Sequence, residues 1–263
     1  MMKNNRIKHR KGFREKSFTA AVVLLVMIIL ISIGNIGSYL YEERKGRMFF
    51  RELQESAIIE EKEGPEKGVT GESVSSDIPA AVDFESLRKI SKDAAAWIYS
   101  PGTEINYVVA QAEDNSYYLH RLLDKTETDC GTLFMDYRNN ADLSDWNTII
   151  YGHNMKSGAM FASIPDYQDP GYYEKHPVMY LYTPGKKYRL ELIAGYTTDV
   201  NDRIYSVPVT EEEQAEIVEA ACKKSSFTSD IEVEEGDKLI TLSTCSYAHD
   251  DARYVVIGRL VEE

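Results

Sequence analysis

Cysteine is scarce in this sequence: Cys130, Cys222 and Cys245 are the only three among 263 residues. An odd number leaves at least one thiol unpaired, and nothing in the spacing asks for a bridge. Histidine is nearly as sparse, at five residues. None of the five is grouped with cysteines at the short spacing that a zinc site needs. A glycine-rich phosphate loop is missing, and the body of the chain has no surplus of positive charge. These absences argue against metal, nucleotide and nucleic-acid binding, and no cofactor is expected.

Long apolar runs are absent too, with one exception. Residues 18–33 are uncharged and almost wholly apolar, and the uncharged stretch continues to Leu40. That is enough for a membrane span of about 20 residues. Just before it, Lys3, Arg6, Lys8, Arg10, Lys11, Arg14 and Lys16 face Glu15 alone, a surplus of six in a chain of net charge −13, so the remainder carries −19. Cations ahead of a span stay on the cytoplasmic side. The expected arrangement is a cytoplasmic tail over 1–17, a single span over 18–40 and an extracellular remainder in the cell membrane's outer space. Tyr39 and Tyr41 suit the outer interface. A cleaved signal peptide is the rival, but no A-x-A cleavage site follows the run.

Residues 41–77 read as a stalk and tether. Phe49, Phe50, Leu53, Ile58 and Ile59 among many charges suit a helix, and 61–76 is a solvated run rich in Glu, Gly, Lys and Ser. The folded domain is expected over 78–263. Phe84, Leu87 and Ile90 have helical spacing, and 91–98, with three consecutive alanines, reads as a second short helix. Pro101-Gly102 is a turn. Strands follow over 105–110, 131–137 and 146–153, then a hairpin of 178–183 with 187–194. Thr210 and Glu213 form a capping box that opens a helix to about Lys223, with Ile217, Val218 and Ala221 inward. The periodicity alone gives a mostly-β domain with several helices.

The chemistry concentrates near the C-terminal end. Residues 238–245 (KLITLSTC) and 253–260 (RYVVIGRL) are two strand-forming runs joined by a polar loop that holds His249, Asp250 and Asp251. Cys245 and Arg253 therefore stand at facing strand ends. A thiol is a useful nucleophile only as thiolate, which a nearby cation favours. Arginine brings a permanent charge and a rigid fork of donors suited to a carbonyl oxygen or oxyanion. A lone cysteine after a strand is otherwise a small buried apolar residue.

The wording TLSTC, a Tyr two residues on, then R-x-V-V-x-G-R-L, resembles the active-site signature of sortases, the cysteine transpeptidases of Gram-positive bacteria, and of their class B above all. Tyr151-Gly-His153-Asn-Met with Phe161 matches the family's histidine motif. The run from Trp97 to Val109 resembles the entry to the class B domain. The resemblance covers roughly 83–260. It implies a closed β-barrel of about eight strands with N-terminal helices and a helix inserted before the last strands. It also implies a triad of Cys245 as nucleophile, His153 as general acid/base and Arg253 as oxyanion or substrate holder. His249 is the competitor for the histidine role, at a position where the family has no fixed histidine.

Further positions match the family's peptide groove: Asn115, Leu119, Tyr151, Ser243 and, more loosely, Ile204. Each is equally read as a cap, core or sheet residue. The implied partners are an N-P-x-T-x-like sorting peptide, an amine of a lipid-linked cell-wall precursor, and the membrane through the N-terminal helix. Pilin polymerisation and an inactive peptide-binding barrel are the alternatives. A papain-like protease fits poorly, because such enzymes place the cysteine at a helix N-terminus, and no apolar helical pattern follows Cys245.

Overall fold

The computed structural model describes residues 3–60, 78–206, 210–245 and 251–263. The chain divides into two compact units, Met1–Lys45 and Gly46–Glu263. Helix α1 (Lys3–Ala57) begins in the first. From Ala21 onward it is long and apolar enough to cross a membrane. Within this unit Val22 to Ile33 leave their large apolar side chains exposed. Soluble helices bury such a face, whereas lipid accommodates it.

The second unit begins at Gly46, ahead of the expected domain boundary at residue 78. Phe50, Leu53 and Ala57, on the last turns of α1, are buried in its core. Gln54 Nε2 also donates to the Asn106 carbonyl at 2.7 Å. A short antiparallel pair follows, β1 (Ile58–Ile59) with β2 (Ala81–Val82). Helix α2 (Phe84–Ile90) is capped by Asp83, whose carboxylate accepts from Ser86 N, and it buries Phe84 and Leu87.

The expected second helix over 91–98 is absent. Ala94–Tyr99 is strand β3 instead, with all six residues buried. Alanine favours a helix locally by a few tenths of a kcal/mol per residue. Pairing on both sides, with complete burial of Trp97 and Ile98, outweighs that preference at about 1.5–3 kcal/mol per large side chain.

The remaining strands are β4 (Asn106–Ala110), β5 (Leu133–Met135), β6 (Asn147–Gly152), β7 (Val178–Thr183), β8 (Lys186–Thr198), β9 (Lys238–Cys245) and β10 (Arg253–Glu262). Helix α3 (Pro170–Lys175) is capped by Asp169, and α4 (Glu211–Lys224) by the expected box of Thr210 and Glu213. The eight strands from β3 to β10 close a barrel in the order β10-β8-β7-β3-β4-β5-β6-β9. Closure leaves no free sheet edge. Two neighbours run parallel, β4 with β5 and β6 with β9.

The core follows from strand alternation. On β10, Tyr254 and Val256 belong to the main cluster inside the barrel, while Val255 and Ile257 join a second cluster. Ile217 and Ala221 of α4 complete that second cluster with Ile193, Ile204 and Leu239. A strand buried on both faces reads as a continuous apolar run, which is how residues 254–257 appear in the sequence.

Candidate active site

Three strand ends meet at one rim of the barrel. In the β9–β10 register Cys245 is paired with Arg253. Directly opposed residues of an antiparallel pair have Cα atoms about 5 Å apart. On the other side of β9 the parallel strand β6 sets Gly152 beside Thr244. His153 and Cys245, each the next residue, leave the sheet on the same side. Asn154 Nδ2 donates to the Cys245 carbonyl at 3.0 Å and ties the two ends together. Thiol, imidazole and guanidinium all line a cavity of about 660 Å³.

Cys245 is exposed at the mouth of this cavity, and its chain neighbour Thr244 is buried. The guanidinium of Arg253 donates to the Ala252 carbonyl at 3.1 Å. Among the described residues no carboxylate is paired with it. His153 is held from the side. Its Nε2 lies 2.7 Å from the Leu119 carbonyl oxygen. Phe161 N donates to the His153 carbonyl at 3.0 Å, closing the 154–160 loop beneath it. His249 lies outside the described residues. Asp251 takes the left-handed φ of 58° and is a loop residue.

Of the groove positions, Asn115, Leu119, Tyr151 and Ser243 line the cavity. Ile204 does not: it is fully buried in the second cluster, and its carbonyl accepts from Asn147 Nδ2 at 2.9 Å. The next residue, Tyr205, faces the cavity instead. Both sit in a single 3-10 turn, Arg203–Tyr205, which follows no long-range period.

The cavity wall contains a polar network that the sequence did not advertise. Its centre is Asp136, whose side chain is fully buried. Arg138 donates to both carboxylate oxygens, at 2.9 and 2.8 Å. Tyr151 OH and Asn115 Nδ2 donate to Oδ2 at 2.9 and 3.0 Å. Burial alone would push the Asp136 carboxyl up. The Arg138 bonds, with those of Tyr151 and Asn115, override it and hold the group at about 2. Burial, then the Asp136 charge, pushes the Tyr151 phenol far up, so it is a fixed donor.

Tyr205 stacks near Tyr151, with ring centroids 6.3 Å apart, and shares a 2.8 Å hydrogen bond with Ser243 Oγ. Burial pushes its phenol up to about 12. The available signal for this network was Asp136 ending an apolar strand with Arg138 two residues on. The His120 ring also lies nearby, with its centroid 5.9 Å from that of His153.

Comparison with known proteins gives this constellation a lineage. Residues 98–261 match the sortase domain family, which spans every barrel strand after the start of β3. The chain is 33% identical to sortase B of Listeria monocytogenes over 254 residues, 95% of this chain and 98% of that protein. The Staphylococcus aureus sortase B–substrate complex superposes with a TM-score of 0.65 at 33% identity, covering 68% of this chain and 84% of that one. Sortase B from Bacillus anthracis reaches a TM-score of 0.69 at 31% identity over 85% of this chain and 100% of its own. The closed eight-stranded barrel agrees with that kinship: the chain belongs to the sortase family and is a transpeptidase of class B.

Proposed function

We propose that this protein is a membrane-anchored cysteine transpeptidase that cleaves an N-P-x-T-x-like sorting signal after Thr and joins the Thr to an amino group of the cell-wall peptide. The observation that carries the reading is the register: Arg253 directly opposite Cys245, with His153 leaving the neighbouring strand beside it. In this reading the Cys245 thiolate adds to the Thr carbonyl, and Arg253 holds the oxygen as it gains charge. His153 as imidazolium then gives its proton to the departing amine, and a thioester remains. An incoming amine adds to the thioester, passes its proton to His153 and displaces the thiolate. One amide is broken and one is made, so no energy input is needed.

Support for a peptide ligand comes from the 660 Å³ cavity and its mix of aromatic and hydrogen-bonding walls. A relative solved with its substrate points the same way. Asn115, Leu119, Tyr151 and Ser243 would contact the peptide, with Tyr205 taking the place expected for Ile204. The apolar part of α1 supports anchoring, and its basic N-terminal flank supports a cytoplasmic N-terminus.

The test is direct. The full chain is incubated with N-P-x-T-x variants and amine nucleophiles, and products are followed by mass spectrometry. Cleavage after Thr with amine-dependent ligation, both lost in Cys245→Ala, is the expected result. Turnover that survives in Cys245→Ala would overturn the reading.

A further inference from the structure

We propose that Gly131 is a positioning residue for the transpeptidation: having no Cβ, it lets the Leu119 carbonyl lie where it holds the Nε2–H of His153. This rests on the reading of His153 as the general acid and base.

A carbonyl oxygen only accepts, so the 2.7 Å contact requires a proton on Nε2. That fixes the tautomer and leaves Nδ1 as the nitrogen that exchanges protons with the reacting amine. The partner of a catalytic histidine sets its tautomer and orientation. Here that partner is a main-chain carbonyl in the short 3-10 turn Tyr117–His120.

The turn is clamped by the segment leading into β5. Thr132 N donates to the Tyr118 carbonyl at 3.0 Å, and Thr128 N to the His120 carbonyl at 3.1 Å. Thr132 Oγ1 donates to the Arg121 carbonyl at 2.9 Å. The buried Tyr118 ring is pinned from below by its OH, which donates to Asp93 at 2.6 Å. Gly131 sits in this clamp with φ +59°. A Cβ there would meet the Leu119 oxygen at 2.5 Å, the Tyr118 oxygen at 2.6 Å and the Leu119 carbonyl carbon at 2.9 Å. All three are main-chain atoms and cannot rotate aside. Relief has to come from moving the 118–119 peptide, which carries the acceptor for His153.

Left-handed φ is itself a cost for any other residue, and a control separates that cost from the clash. Gly185 has φ +81° with nothing near its missing Cβ. Gly185→Ala carries the strain without the collision. Gly131→Asn does the reverse, because Asn tolerates left-handed φ yet still brings a Cβ.

The experiment uses the full chain in detergent, 15N-histidine labelling, and the fluorogenic form of whichever N-P-x-T-x peptide the wild type cleaves. His153→Ala assigns the His153 resonances. The wild type is expected to show the Nε2–H form, and both Gly131→Ala and Gly131→Asn to lose it. Their kcat should fall on the order of 10²-fold, the scale of an ångström-level misplacement. Gly185→Ala should keep both the signature and kcat. Recovery of kcat in Gly131→Asn together with its thermal stability would overturn the proposal, as would an unchanged His153 signature in folded Gly131→Ala. Activity that survives His153→Ala would instead sink the underlying reading of His153.

Discussion

At one end of the cavity Asp136 is fully buried, and Arg138, Tyr151 and Asn115 all donate to it. At the other, Cys245 is exposed, and Arg253 donates to the carbonyl of its own neighbour Ala252. The same two strands serve both ends. Tyr151 and His153 are two residues apart at the end of β6, and Ser243 and Cys245 are two apart on β9. A step of two keeps side chains on one face of a strand. The inner residue of each pair is hydrogen-bonded within the wall, and the outer one is the residue to which the proposed mechanism gives the chemistry. Buried polar groups that are fully paired make a rigid wall, and unspent donors at its edge are what a developing charge requires.

The sharpest way to break this contrast is at the unspent cation. Arg253→Gln should lower kcat/KM by about 10²–10³-fold, the usual cost of removing an oxyanion donor, with little change in melting temperature. Arg253→Lys keeps the charge but not the fork, and should lose about 10–10²-fold. A lysine variant at wild-type rate would show that charge alone suffices. Steady-state kinetics with the cleavable peptide and a melting curve on each variant decide both.

At the satisfied end the order of effects should invert. Asp136→Ala leaves Tyr151 OH, Asn115 Nδ2 and Arg138 without their acceptor and should cost about 2–3 kcal/mol of stability. Denaturant melts measure it. The pH dependence has a definite sign. The Asp136 carboxyl is held at about 2, below its ordinary 3.8, so its contribution is complete above 3.8 and is lost as pH falls through 2. Asp136→Asn should therefore narrow its stability gap to the wild type as the pH is lowered through that window. A gap that stays constant would mean Asp136 is not the group that titrates.

The smallest effect is expected between the two ends. Ser243→Ala removes one neutral hydrogen bond to Tyr205, and about 1 kcal/mol is the usual worth of such a bond. It should raise KM less than tenfold and leave kcat unchanged.

How far these contrasts were legible depends on how local their causes are. The strands around Cys245 and Arg253 could be read because β-branched runs and a polar loop are local signals, and their register then follows from barrel pairing. β3 could not, because its alanines favour a helix and only burial between β4 and β7 makes them a strand. Phe50 and Leu53 read as a stalk because their partners lie far along the chain. That Ile204 is buried while Tyr205 lines the cavity was not legible, because a three-residue turn has no period to say which side chain points inward. The Asp136 network was invisible for a like reason: its donors come from residues 115, 138 and 151, which meet only across the folded wall.

The position of Arg253 on β10 has a consequence in time as well as in space. β10 closes the barrel by pairing with both β8 and β9, and it is the last strand in chain order. His153 and Cys245 are brought together by the parallel β6–β9 pair, a contact of long sequence separation of the kind that forms slowly. A chain whose β6–β9 pair has not yet formed keeps Cys245 apart from His153, whatever the state of the local β9–β10 hairpin that sets Arg253 opposite it. On the proposed roles of these residues, thiol and proton carrier meet only once that long-range contact closes, so the order of strands acts as a safety catch on the thiol.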